Sequence, residues 1–128
     1  MEQGLITAVG VDVSKGKSTV AVRRPGGQIV MPPIQIKHTT EELARLAERL
    51  QGLGGDIRII MEHTGMYWRP IAHSLKEAGF FVSVVNAILI HNFSDNSLRK
   101  VKTDKADALK IANYGLTFWT ELRNFSDE

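Results

Sequence analysis

Leu5-Ile6-Thr7-Ala8-Val9-Gly10-Val11-Asp12-Val13, then Ser14-Lys15-Gly16-Lys17, then Ser18-Thr19-Val20-Ala21-Val22-Arg23, is the stretch on which the fold class turns. Its first nine residues read as a largely buried strand. The next four make a tight turn, and the last six, rich in β-branched residues, make a second strand. Pro25-Gly26-Gly27 marks another turn. Gln28 to Met31 resumes as strand, and Pro32-Pro33 interrupts it before Ile34-Gln35-Ile36. Proline cannot donate to a central ladder, so this third strand is expected at a sheet edge. Three strands joined by short turns form an antiparallel meander.

Beyond Ile36 the period changes from two to that of a helix. Thr39-Thr40-Glu41-Glu42 fits a capping box, with Thr39 as N-cap and Glu42 three residues later. Leu43, Leu46, Ala47 and Leu50 share one helical stripe, and Gly52 is placed to stop it. Ile57 to Glu62 is the fourth strand. A helix follows from about Tyr67 to Ala78, with Pro70 tolerated near its first turn and Gly79 ending it. Phe80 to Asn86 is the fifth strand. A short helix is expected from Ala87 to about Ser94, and a last helix from about Asp104 to Tyr114, after a polar, basic loop. The tail to Glu128 has no clear period. The order is β-β-β-α-β-α-β-α, and helices between the later strands imply right-handed parallel crossovers.

The chain has 128 residues, 43% of them hydrophobic and 23% charged, which is ordinary for one globular domain with a real core. It has no cysteine, which excludes a disulfide scaffold and a thiolate zinc site. No apolar run reaches the roughly 18 residues of a membrane span, so no membrane partner is expected. Met1-Glu2-Gln3-Gly4 has neither the basic region nor the apolar core of a secretory signal, and a cytoplasmic location is expected. The net charge is only +2, so nucleic-acid binding has to be argued from local charge.

In an open sheet, functional groups gather at the carboxyl ends of parallel strands. Asp12 stands at the end of the first strand and Glu62 at the end of the fourth. Asp104 and Asp107 open the last helix three residues apart, on one face. Taken singly, Asp12 reads equally well as a turn cap, and Asp104 and Asp107 as first-turn helix acids. Glu62 follows a mostly apolar run in a strand expected to be buried. Together the four can share one cleft. Two unit charges about 4 Å apart repel by roughly 4 kcal/mol at an effective dielectric near 20. A helix N-terminus returns only about 0.3–1 kcal/mol per carboxylate. Such a cluster takes up protons or hard cations, Mg²⁺ or Mn²⁺, and paired metals serve phosphodiester chemistry.

Three blocks carry a family resemblance. Val9-Gly10-Val11-Asp12-Val13-Ser14-Lys15 resembles the opening motif of the DEDD transposases of the insertion-sequence one-ten family. Glu62-His63-Thr64-Gly65-Met66-Tyr67-Trp68 resembles that family's E-x-T-G-x-Y block, and Lys102-Thr103-Asp104-Lys105-Ala106-Asp107-Ala108 its K-T-D-x-x-D-A block. The blocks occur in the family's order and span nearly the whole chain. A small departure is Ala87, where the family pattern suggests proline. The resemblance implies a ribonuclease-H-like (RuvC-like) α/β fold: a mixed five-stranded sheet of order 3-2-1-4-5 with helices on both faces. It maps the family's catalytic, metal-binding tetrad onto Asp12, Glu62, Asp104 and Asp107. It also implies a DNA recombinase that moves mobile elements, guided by a structured RNA and homo-oligomeric at full length. A second domain with a catalytic serine completes family members. None of Ser14, Ser18, Ser74, Ser83, Ser94, Ser97 and Ser126 matches its motif. Residues 1–128 therefore read as a single RuvC-like domain lacking the serine domain and unable to complete recombination alone.

Arg99, Lys100, Lys102 and Lys105 form the densest basic run, next to two of the acids, and are the first candidates for phosphate contact. Lys15 and Lys17, in the turn after Asp12, are further candidates. Each also reads as an ordinary solvated loop residue. Tyr67 and Trp68 suit base stacking, though packing at a helix entry is the favoured expectation for both. His63 alternates to the face opposite Glu62, and with His38, His73 and His91 it makes no zinc pattern. Two other function classes fit parts of the pattern. One is a non-catalytic RNA-binding or dimerisation module. The other is half of an actin-like ATPase, which also opens with G-x-D and a hairpin but has no counterpart of the last helix.

Overall fold

The structure is a computed structural model that describes residues 5–93 and 103–126. Strand β1 (Ile6–Ser14) turns at Gly16, whose φ of 75° is a left-handed conformation open to glycine at little cost, and returns as β2 (Lys17–Arg24). A 3-10 turn at Pro25–Gly27 leads into β3 (Gln28–Lys37). The expected break at Pro32-Pro33 is a bulge inside one continuous strand. Val22 pairs with Met31 and Val20 with Ile34, so the two prolines lie opposite Ala21 alone. The edge position lets the strand absorb the missing donors and the extra residue.

Helix α1 (Thr40–Gln51) begins at the expected cap: Thr39 Oγ1 accepts from the Glu42 N–H at 3.2 Å. The Glu42 carboxylate reaches past the N-cap to accept from the Lys37 N–H at 2.7 Å, which ties the helix start to the end of β3. Strand β4 (Asp56–His63) pairs parallel to β1, helix α2 (Trp68–Glu77) crosses back, and β5 (Phe81–Asn86) pairs parallel to β4. The sheet order is β3-β2-β1-β4-β5, as expected. A short α3 (Ala87–Asn92) follows β5 directly, with the Asn86 side chain accepting from the Ile88 N–H at its start. Helix α4 (Asp104–Thr117) runs three residues beyond its expected end.

Strand alternation divides the core. Val9, Val11, Val20, Val22, Ile59 and Met61 face α1 and α2, where Leu46, Leu50, Ile71 and Leu75 complete the larger cluster. Ala8 and Ile60 face α4 and pack on Ile111, Ala112 and Tyr114. Helix α4 lies very close to the sheet. A Cβ on Gly10 would run into the Ala108 carbonyl and the Ala112 backbone, and one on Gly115 would run into Ile60. This approach brings the first turn of α4 over the carboxyl end of β1.

The tail that sequence left unassigned is a strap. After a 3-10 turn (Trp119–Glu121), the Phe125 N–H donates to the Val82 carbonyl at 2.6 Å, and Asn124 Oδ1 accepts from the Val82 N–H at 3.1 Å. Phe125 meets Trp68 edge-on at 5.4 Å, and the Arg58 guanidinium is sandwiched between the Phe81 and Trp119 rings. Among the described residues, no helix is long and apolar enough to cross a membrane.

Candidate metal centre

The parity that puts Ala8 and Gly10 under α4 puts Asp12 there too. On β4 the same parity puts Glu62 beside Ile60. Because Val11 pairs with Met61, Asp12 and Glu62 stand one step further along neighbouring parallel strands. Helix α4 supplies the other acids from its first turn, which Thr103 caps by accepting from the Ala106 N–H at 3.0 Å. Asp12, Asp104 and Asp107 each offer a carboxylate oxygen within 4.8 Å of the others. Glu62 lies outside that set of three but lines the same open cavity of about 410 Å³ as Asp12 and Asp107. The Thr64 hydroxyl donates to Glu62 Oε2 at 2.7 Å.

The electrostatics follow from the packing. Burial at the strand end, with the charges of Asp107 and Asp104, pushes the Asp12 carboxyl from 3.8 up to about 7. A hydrogen bond with Asp104 and the more distant charge of Glu62 act in the same direction. Near neutral pH the Asp12 carboxyl is therefore only partly ionised, and a cation would compete with its proton. The donors are all carboxylate oxygens, which suits a hard divalent ion.

Two cavity residues escaped the sequence reading. His91 and Lys110 line the acidic cavity, together with Ala87, Ile88 and Ile90 of α3. Lys110 follows Asp107 by three residues, a helical spacing that can be read from sequence once the helix is assigned. His91 had no such signal, because the facing of the six-residue α3 depends on tertiary packing. Of the basic candidates, Lys15 and Lys17 are exposed at the β1–β2 turn, and Lys105 is exposed beside Asp104. Arg99, Lys100 and Lys102 lie outside the described residues. Trp68 packs as expected, 3% exposed, with its indole N–H donating to the Gly65 carbonyl at 3.1 Å. Tyr67 does not pack: it is half exposed, beside the more exposed Met66. His63 stacks on Trp68 at 4.9 Å, on the face away from Glu62.

The chain resembles known proteins at two levels. The T. thermophilus RuvC chain solved in complex with a Holliday junction substrate superposes with a TM-score of 0.66 at 12% identity, covering 94% of this chain and 99% of that one. A further Thermus thermophilus RuvC structure gives 0.62 at 13% identity, over 92% and 98% of the two chains. At such identity the likeness establishes the RuvC-like fold. The pilin gene-inverting proteins of Moraxella lacunata and Moraxella bovis are each 39% identical over 59 residues, which is 46% of this chain and 18% of theirs. The match thus spans less than a fifth of those relatives. A family model of DEDD transposases, of the IS110 type, matches residues 9–128. That match takes in Asp12, Glu62, Asp104 and Asp107 together, and the chain belongs to this transposase family.

Proposed function

We propose that this domain is the metal-binding catalytic half of a DNA recombinase, which takes part in strand cleavage and exchange during transposition. The observation that carries the reading is the approach of Asp12, Asp104 and Asp107 to within 4.8 Å, on a surface where Asp12 cannot ionise freely. The residues fit a divalent cation: Asp12, Asp104 and Asp107 would hold it, with Glu62 lining the same cavity. When bound, Mg²⁺ or Mn²⁺ would polarise a phosphodiester oxygen and ease deprotonation of an attacking hydroxyl. Asp12 gives up its proton as the site loads. Lys110 brings positive charge to the cavity wall, suited to a phosphate oxygen. Lys15, Lys17 and Lys105, with Arg99, Lys100 and Lys102, hold the flanking DNA backbone.

The family resemblance extends this reading to a partner domain that supplies the nucleophilic serine, to a structured guide RNA and to a homo-oligomer. Membership of a transposase family, with Asp104 and Asp107 in the first turn of α4, favours it over the ATPase reading.

The test is a melting experiment. Mg²⁺ or Mn²⁺ should raise the melting temperature more than Na⁺ or K⁺ at equal ionic strength, since screening acts in every case. The stabilisation should be about 2.7 kcal/mol at one hundred times the dissociation constant. Asp12→Asn, Glu62→Gln and Asp107→Asn should remove most of the metal-specific part. Asp56→Asn should keep it, because Asp56 is exposed at the opposite end of β4. An intact metal response in Asp12→Asn would return Asp12 to a structural cap and sink the reading.

A further inference from the structure

A second groove, of about 470 Å³, opens on the other side of the α4 start, between that helix and strands β2 and β3. Thr19, Ile34, Gln35, Thr103, Asp104 and Lys105 line it. Its floor continues the acidic site across the sheet. Asp12 pairs with Thr19, and Thr19 pairs with Gln35. Cross-strand partners project from the same face, so the three form one polar row from the acids to the edge strand. Thr19 is 3% exposed, lines the groove and makes no side-chain hydrogen bond among the described residues.

We propose that this groove is a nucleoside subsite, holding the sugar and base next to the phosphate that the acids engage. The inference rests on the proposed metal-dependent action on DNA. The chemistry of the lining selects a nucleoside over a second phosphate. The Gln35 carboxamide offers donors and an acceptor, and the Thr19 hydroxyl offers both. Asp104 at the rim disfavours a phosphate in the groove itself. Lys105 stands where the next phosphate along the strand would leave it. Neutral groups of this kind read base edges and sugars, whereas cations hold the backbone.

The experiment measures binding of a short fluorescein-labelled single-stranded DNA in Mn²⁺ across a salt series. Gln35→Ala and Thr19→Val should each raise Kd by about three- to tenfold, as the loss of one hydrogen bond does. The slope of log affinity against log salt should not change, because neither substitution removes a charge. Thr19→Ser should restore binding, and the Mn²⁺ melting shift should be intact in every variant. Gln35 is exposed on an edge strand, so Gln35→Ala carries the test even if Thr19→Val fails to fold. An unchanged Kd in Gln35→Ala with a normal Mn²⁺ shift overturns the subsite and leaves the metal reading standing. Absence of any Mn²⁺-specific shift in the unaltered protein overturns both.

Discussion

The two faces of the sheet are made from alternate residues of the same strands, yet they are built for different ends. Toward α1 and α2 the strands present Val9, Val11, Val20, Val22, Ile59 and Met61, all fully buried. Toward α4 strand β1 presents Ala8, Gly10 and Asp12, and α4 answers with Ala108, Ala112 and Gly115. The first face gains free energy from apolar area. The second gives up side-chain volume so that backbone can approach backbone, and that approach sets Asp104 and Asp107 over Asp12. Stability resides mainly on one side, and geometry for chemistry on the other.

Substitutions on each face can break that division. Leu50→Ala, in the larger cluster, should cost about 2–5 kcal/mol in denaturant unfolding. Any protein that remains folded should keep its full Mn²⁺ response. Gly10→Ala should cost about 1–3 kcal/mol by overpacking, because the obstructing atoms are backbone and cannot rotate aside. Here the Mn²⁺ shift should fall with the stability, since α4 must lift to make room. A preserved Mn²⁺ shift in Gly10→Ala would mean that the acids do not depend on the close approach.

A finer test uses pH. The Asp12 carboxyl titrates near 3.8 when unfolded and about 7 when folded, so the native state binds its proton more tightly. Its cost to folding is absent below about pH 4, grows between pH 4 and 7, and is complete above pH 7. Without metal, Asp12→Asn should therefore raise the melting temperature by a few degrees at pH 8 and leave it nearly unchanged at pH 4. Equal effects at both pH values would show that Asp12 does not carry the shifted proton. The smallest effects are expected at the two helix caps. Thr39→Ala and Thr103→Ala should each cost about 0.5–1 kcal/mol, and only Thr103→Ala should also weaken Mn²⁺ binding.

The β-meander, the parallel crossovers and the positions of all four acids were legible because they follow local rules: period-two burial, a capping threonine, glycine at a turn. The Pro32-Pro33 bulge was legible as an edge but not as continuous strand, because the compensating register shift lies in the pairing with β2. The strap was not legible. Its ties include the Phe125 backbone bond, the Asn124 carboxamide, the Arg58 guanidinium donating to the Trp119 carbonyl at 2.8 Å, and ring contacts at Trp68 and Arg58, none of which leaves a period in the sequence. The exposure of Tyr67 also depends on packing, since Trp68 fills the space beneath the loop and leaves Tyr67 outside.

The strap and the bulge together bear on how this domain can join larger assemblies. An open sheet has two rims, and a bare rim invites a foreign strand. Here the β3 rim carries consecutive prolines and a kink, and the β5 rim has the Val82 amide and carbonyl already occupied by Asn124 and Phe125. Neither rim offers a clean ladder for extension. Protein partners of this domain are therefore expected to meet its helices and loops, leaving the five strands a closed set.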